Sequence, residues 1–276
     1  RVSYTGSWDG KRNSVSSHHY DWGVSGVVAT TTSHSSTFSI QLNTQEDSCI
    51  HYNTNHIRVY YPVTDIQSFE IFIQKEDSLF TGIIDTLGGF IQFELDELVD
   101  KINFKLKKTN STQRHFNVEG ILLNNDESGI VFHSIGVNGA QFRSYLKCPK
   151  FIPQLKSINP HLIIISLGTN DVYGMSSLNT SDLKRNIEKL LGWIREACPN
   201  TSILLTCPSD NLYKRRSKNH NNGIAGKLYK ELAKKHNLAI WDLYTIMGGL
   251  SSIYSWQQQG LAQGDFGHFS AKGYTL

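Results

Sequence analysis

The run Leu162 to Leu167 is apolar except at Ser166, and it leads straight into Gly168-Thr-Asn-Asp171. A short continuous apolar run bounded by a turn signal predicts a strand buried on both faces, as in a parallel sheet. Its polar tip then lies at the strand's carboxyl end, where open α/β sheets bind ligands. Comparable signals surround it. Gly129-Ile-Val-Phe-His133 predicts a short strand, Ile135 to Ala140 a glycine-rich turn, and Gln141 to Leu146 the start of a helix. Thr180-Ser-Asp182 supplies a helix start, and Leu183, Ile187, Leu190, Leu191 and Ile194 follow at helical spacing until Pro199-Asn200. Ser202 to Thr206 predicts a second buried strand. Ile224, Leu228 and Leu232 predict another helix, and Leu238 to Leu243 a third strand. Strands alternating with helices of about 10–15 residues predict a parallel sheet built from βαβ units.

The first part of the chain has another texture. Ser, Thr, Asn and His are dense up to residue 56. Short alternating runs follow: Phe69-Ile71-Ile73, Ile91-Phe93-Leu95 and Ile102-Phe104-Leu106, the last with Lys101, Asn103, Lys105 and Lys107 on the other face. Period-2 patterning predicts half-buried antiparallel strands. Turn signals such as Leu87-Gly88-Gly89 separate them, and no helical period is present. The pattern predicts an all-β sandwich or jelly roll over 1–122 and an α/β domain over 123–276.

Composition narrows the function classes. The 276 residues are 39% hydrophobic and 18% charged, as in a globular chain with ample core. A net charge of +3, with no basic block interleaved with aromatics, argues against nucleic-acid binding. Lys214-Arg215-Arg216 with Lys218 is the densest basic cluster, and its default reading is a solvated loop. No apolar run is long enough to cross a membrane. The chain opens on Arg1 with no signal peptide and stops at Leu276 where a helix is starting, so the natural chain is expected to extend at both ends. Cys49, Cys148, Cys198 and Cys207 have no CxxC spacing, which gives no zinc or redox motif. Cys198 and Cys207 flank a strand of about 17 Å and should not bridge. His18, His19, His51 and His56 lie in a loop-rich region, and Cys49-x-His51 imitates a metal pair without a complete ligand set; neither metal nor cofactor is expected. Trp8, Trp22, Tyr20, Tyr52, Tyr60 and Tyr61 could stack on a sugar, but aromatic residues in strands more often fill cores.

The candidate chemistry falls in four places: Gly136-Val-Asn-Gly139-Ala, Gly168-Thr-Asn170-Asp171, Thr206-Cys-Pro-Ser-Asp210 and Gly264-Asp265-Phe-Gly-His268. Asp265 and His268 form the sharpest pair. A carboxylate three residues before a histidine in a glycine-containing turn can accept from Nδ1–H and leave Nε2 as a general base. The Asn170 amide and the unobstructed backbone N–H of Gly139 suit an oxyanion hole. The block from 206 to 210 ends a strand and lines the site.

Together and in this order the blocks resemble those of the SGNH (GDSL-type) hydrolases. Gly139 in Ile-Gly-Val-Asn-Gly-Ala matches the family's glycine block, Asn170 its Gly-x-Asn-Asp block, and Asp265 and His268 its Asp-x-x-His block, followed by Phe-Ser-Ala-Lys-Gly-Tyr. Trp241-Asp-Leu-Tyr and Met247-Gly-Gly add to the likeness, which covers about residues 124–276. The resemblance implies a flavodoxin-like three-layer α/β domain with no cofactor and a serine nucleophile in a Gly-Asp-Ser block on the first, central strand.

That block is absent here. Glu76-Asp77-Ser78-Leu79 is its nearest imitation, but it lacks the glycine and belongs to the alternating region; Ser48 and Ser7 fit less well, and the Gly-x-Ser-x-Gly elbow of other esterases is missing. A central strand cannot be omitted without opening the core. The serine is therefore expected upstream of Arg1, with the β module inserted between it and the glycine block. Enzymes of the family that remove acetyl groups from bacterial peptidoglycan are built in this way. The resemblance thus implies an esterase acting on O-acyl, chiefly O-acetyl, groups of a polysaccharide or peptidoglycan, at a secreted, periplasmic or cell-surface location. A catalytically dead glycan-binding protein and a polysaccharide O-acetyltransferase are the alternatives.

Overall fold

Alternating side chains make the first half of the chain antiparallel, and helical periods make the second half layered. The computed structural model describes residues 1–44 and 51–276, so Ser48 and Cys49 lie outside the described residues. The strands begin with β1 (Val2–Tyr4), β2 (Asp9–Arg12), β3 (Val27–Thr31), β4 (Thr37–Gln41), β5 (Thr54–Tyr60) and β6 (Glu70–Lys75). They continue with β7 (Ser78–Phe80), β8 (Ile83–Asp85), β9 (Phe90–Val99), β10 (Lys101–Lys107), β11 (Phe116–Val118) and β12 (Gly120–Asn124). Next come α1 (Phe142–Tyr145), α2 (Phe151–Ile158), β13 (Leu162–Ile165), α3 (Thr169–Val172), α4 (Thr180–Ala197) and β14 (Ser202–Thr206). The chain ends with β15 (Leu212–Tyr213), β16 (Ser217–Lys218), α5 (Asn221–His236), β17 (Ala239–Trp241), α6 (Leu243–Met247), α7 (Ser252–Gln258) and α8 (Ala271–Tyr274). There are two compact units, Arg1–Asn138 with Cys148–Ser157, and Gly139–Lys147 with Ile158–Leu276.

In the first unit the antiparallel sheets run β1-β4-β10-β6-β7, β12-β5-β9-β8 and β11-β3-β2. Alternation does what the sequence pattern predicts along β10. Ile102, Phe104 and Leu106 are buried, while Lys101, Asn103 and Lys107 are exposed. The first two sheets share one core. Phe38, Ile71, Ile73, Ile102, Phe104 and Leu106 come from one, and Ile57, Val59, Ile91 and Phe93 from the other. Phe104 is the hinge of that packing, stacked on Phe38 at 4.5 Å and edge-on to Phe93 at 6.3 Å. Of the six aromatic residues singled out above, Trp22, Tyr60 and Tyr61 are buried, and Trp8 packs edge-on against Phe38. Tyr20 and Tyr52 are exposed.

The expected strand over 129–133 does not form. Ile130 and Phe132 are 97% and 82% exposed, and no ladder includes them. A strand exists only if its backbone groups find a neighbouring strand, and no described residue provides one. The sequence reading also passed over α2. Its Pro153 falls in the first turn, where a missing N–H has no intrahelical partner to lose.

The second unit holds the parallel sheet β13-β14-β17. Leu162 to Ile165 pair with Ser202 to Leu205, and Leu204 to Thr206 pair with Ala239 to Trp241. Helix α4 starts where the Asn179 side chain accepts from Asp182 N–H at 3.1 Å, and it buries the predicted stripe of Leu183, Ile187, Leu190, Leu191 and Ile194. Helix α5 ends on Asn237 in the left-handed conformation, after Lys234, Lys235 and His236 in its last turn, which complement the helix dipole.

A second expectation needs correction. Strand β13 is not buried on both faces: Leu162 is 53% and Ile164 54% exposed, and only Ile165 is fully buried. It is the edge of its sheet, paired on one side only, by β14. Continuous apolarity signals readiness for burial on both faces, and nothing described here covers the second.

Phe104 offers a direct test of the first core. Phe104→Ala should lower the free energy of unfolding by about 3–5 kcal/mol, read as a shift in the midpoint of chemical denaturation. A shift below about 1 kcal/mol would show that this ring does not hold the two sheets together.

Candidate active site

Asp265 and His268 occupy the loop that follows α7. His268 Nδ1 lies 2.6 Å from Asp265 Oδ2. Asp265 Oδ1 accepts the backbone N–H groups of Gly267 and His268 at 3.0 and 3.1 Å. One carboxylate thus shapes the turn and orients the ring. With Nδ1–H donating to the carboxylate, Nε2 carries the lone pair, and the ring is 69% exposed. Burial pushes the Asp265 carboxyl up, but the His268 ring, the two backbone N–H groups and the imidazole's charge outweigh it and hold the pKa below the usual range.

Phe266 is the reason this short turn stays fixed. It sits at φ 55°, a left-handed conformation that costs a non-glycine residue roughly 1–2 kcal/mol. Its ring packs on the small core of Leu212, Met247, Ile253 and Ala262, and tilts against Tyr254 at 5.4 Å. Burial of this ring offsets the backbone cost while Asp265 and His268 flank it on the loop. Gln263 N–H also donates to His268 O at 2.8 Å, closing the loop at its base.

Gly139 and Asn170 meet through Ala140. Asn170 Nδ2 donates to Ala140 O at 3.0 Å, and Gln141 Nε2 donates back to Asn170 O at 2.6 Å. One amide N–H of Asn170 is used in this way, so the second stays available as a donor. Gly139 takes φ 77°, open to glycine at little cost. Gly168 has a firmer requirement. At φ 122°, a Cβ there would lie 2.1 Å from the Tyr229 hydroxyl, which donates to Leu167 O at 2.9 Å. The strand can therefore turn into α3 only with glycine at this position.

The sequence reading quoted Asp171 but gave it no role. Its carboxyl accepts Phe142 N–H, at 3.2 Å to Oδ1 and 3.3 Å to Oδ2. Asn170 and Asp171 together hold the backbone at 140 and 142, on either side of Gln141. Burial drives the Asp171 pKa up to about 7, against the lowering effects of the Phe142 N–H and the Arg143 charge.

The two halves of the site are joined by the segment from Asp210 to Asn222, which sequence reasoning read only as a lining block and a basic loop. Leu212 N–H donates to Phe266 O at 3.0 Å, beside the Asp265–His268 pair. Lys214 N–H donates to the Tyr173 hydroxyl at 2.9 Å, three residues past Asn170. Beneath this hairpin, Asn219 Nδ2 donates to Val172 O at 3.2 Å, and Asn221 Nδ2 donates to Ser176 O at 3.0 Å. Asp210, fully buried, accepts Ile253 N–H at 3.0 Å. Buried amides here satisfy loop backbone that no sheet or helix can reach. An excess of asparagine over 211–222 was the available signal.

The other candidates belong to other elements. Ser78 opens β7, paired with Lys75 in the antiparallel unit, and Ser7 is an exposed loop residue of that unit. Cys148, Cys198 and Cys207 are buried, and burial, followed by Asp242, pushes the Cys207 thiol up to about 12. His56 bonds Asp126 at 2.8 Å. Among the described residues no three His, Cys, Asp or Glu side chains form a group that could hold a metal ion.

Comparison with known proteins bears on this geometry. Residues 113–276 match the GDSL-like Lipase/Acylhydrolase family. A solved structure of a peptidoglycan O-acetylesterase is 21% identical, with a TM-score of 0.75 over 99% of this chain and 73% of that one. A lipase/acylhydrolase from Enterococcus faecalis is 24% identical over 50% of this chain and 66% of its own, at a TM-score of 0.40. An acetyl xylan esterase is 16% identical over 50% of this chain and 72% of its own, also at 0.40. No curated protein matches the sequence. The first likeness shows the fold: an SGNH hydrolase unit accompanied by antiparallel strands.

Asp171 makes stability depend on pH. Its folded pKa, about 7, lies above the ordinary value of 3.8, so the folded protein holds the proton more tightly than the unfolded chain. Its contribution is complete at low pH and is lost as pH rises through about 7. Asp171→Asn keeps an acceptor for Phe142 N–H without the ionisation. Thermal melts of the variant between pH 4 and 7 should show a smaller loss of stability than the parent. Parallel curves would refute the burial of this carboxyl.

Proposed function

The chain belongs to the GDSL-like Lipase/Acylhydrolase family of carboxylic ester hydrolases, and from that premise we propose that it carries most of a serine esterase site acting on O-acetyl groups of a peptidoglycan or related polysaccharide. The observation that carries the reading is the 2.6 Å bond from His268 Nδ1 to a carboxylate already fixed by two backbone donors. It leaves an oriented, solvent-facing Nε2 to act as the base.

In this mechanism His268 Nε2 takes the proton of a serine hydroxyl as its oxygen attacks the acetyl carbonyl. Asp265 holds the ring and stabilises the imidazolium. The carbonyl oxygen becomes an oxyanion that accepts from Gly139 N–H and the second Asn170 N–H. Collapse returns the proton to the leaving sugar oxygen and gives an acetyl-serine, which water hydrolyses with His268 again as base. The serine belongs to a segment upstream of residue 1 that adds a strand beside β13; the open edge and the exposed Leu162 and Ile164 support this placement. The glycan substrate is supported by the fold likeness to a peptidoglycan O-acetylesterase, which takes in the antiparallel unit as well as the hydrolase unit. We assign that unit as a jelly-roll-like accessory module and place the activity outside the cytoplasm, where such polymers lie.

In the full-length protein, Asn170→Ala should lower kcat for release of acetate from O-acetylated peptidoglycan by about 10²–10³, with a smaller effect on KM. An unchanged kcat would remove Asn170 from the oxyanion hole.

A further inference from the structure

The basic cluster of the sequence is not a loop remote from the chemistry. Lys214, Arg215, Arg216 and Lys218 are all exposed and lie on the β15–β16 hairpin. This hairpin is bonded to both halves of the site, at its base through Leu212 N–H to Phe266 O and at its turn through Lys214 N–H to the Tyr173 hydroxyl. Tyr213 and Tyr173 pack ring to ring at 5.1 Å, and the Lys214 ammonium lies 5.3 Å from the Tyr213 ring centre. The charge of Lys218 acts on buried Asp210, against the burial that pushes this carboxyl up. Among the described residues none of the four cations forms an ion pair.

The turn itself is unusual for its sequence. Lys214 and Arg215 occupy its two central positions at φ 49° and 62°, and Arg216 N–H donates to Tyr213 O at 3.1 Å. A turn with both central residues left-handed is normally made by Asn-Gly or Asp-Gly, which adopt it without strain. Here two long cations hold it. A rim with no task would lose nothing by having Asn-Gly there. Strain kept beside reactive groups points to a function of the side chains that impose it.

We propose that this hairpin is a recognition rim for anionic groups, carboxylate or phosphate, carried by the glycan polymer whose ester is cleaved. The inference rests on the esterase reading above and adds a charge preference to it. A cluster of unpaired cations raises the local concentration of a polyanion and orients it as it docks. Arg215 and Arg216 can each hold a carboxylate or phosphate by two parallel N–H bonds, and the lysines supply point charges. The bonds at the base and the turn fix this rim relative to His268 and Asn170.

The test uses the full-length protein and two acetylated polymers, polygalacturonate as the anionic substrate and xylan as the neutral one. K214N/R215G removes two charges and installs the residues this turn favours, so the fold is kept. R216Q/K218Q removes the other two and leaves the turn sequence alone. Each variant should raise KM for acetylated polygalacturonate about 5- to 10-fold and flatten its dependence on salt, with kcat unchanged and acetylated xylan kinetics within about twofold of the parent. Inhibition by oligogalacturonate stronger than by polyphosphate would assign carboxylate as the preferred group, and the reverse order phosphate. Electrophoresis through gels containing polygalacturonate reads the rim without catalysis: the parent should be retarded and both variants released. Retardation of the parent with no acetate released from either polymer or from O-acetylated peptidoglycan would leave the rim standing and refute the esterase reading. Normal turnover with unchanged KM and retardation in both variants would overturn the rim alone.

Discussion

The second unit is arranged around a carboxylate with more than one duty. Asp265 uses one oxygen to close a turn on two backbone N–H groups and the other to hold the imidazole three residues later. The turn cannot slacken without releasing the ring, and the ring cannot rotate without giving up a charge-assisted bond in a half-buried place. The half-buried Phe266 ring, at the centre of the same turn, ties this arrangement to a hydrophobic core. Positional accuracy of the imidazole therefore comes from packing as much as from hydrogen bonding.

The opposite wall is organised by polar side chains that substitute for regular structure. Asn170 and Asp171 hold the backbone at Ala140 and Phe142, and Asn219 and Asn221 hold it at Val172 and Ser176. Each bond satisfies a peptide group that no sheet or helix could reach, and an unsatisfied one would cost about 1–3 kcal/mol. A short β13 can thus present long loops with defined geometry. The desolvation of Asp171 accompanies this precision, because a carboxylate that clamps a buried turn has been withdrawn from water.

What was legible in the sequence follows from range. Helix α4 was readable because its cap and apolar stripe are local signals, and β10 because alternation is local too. The Asp265–His268 contact was readable for the same reason, being contained in four residues. Four features were not. The burial of β13 depends on what lies across its open face, and apolarity alone does not report that. The strand expected over 129–133 needed a neighbour absent from the described residues. The clamp from Asp171 ends on the backbone N–H of Phe142, a group that has no residue letter of its own. The hairpin from 212 to 218 was hidden differently: its turn is made by Lys-Arg, so the usual Asn-Gly mark is missing.

The outer edge of β13 carries one more implication. A strand paired on one side presents its remaining N–H and C=O groups to any extended peptide that can align with them, and here Leu162 and Ile164 add an apolar face. Natural proteins protect such edges with charge, proline or a covering element, and Leu-Ile-Ile-Ile carries neither charge nor proline. The same edge that can accept a completing strand is a template for β-augmentation by another molecule of this chain. Colloidal behaviour therefore depends on a single row of backbone hydrogen-bonding groups: a strand that filled the edge, as in the proposed esterase, would also remove its tendency to self-associate.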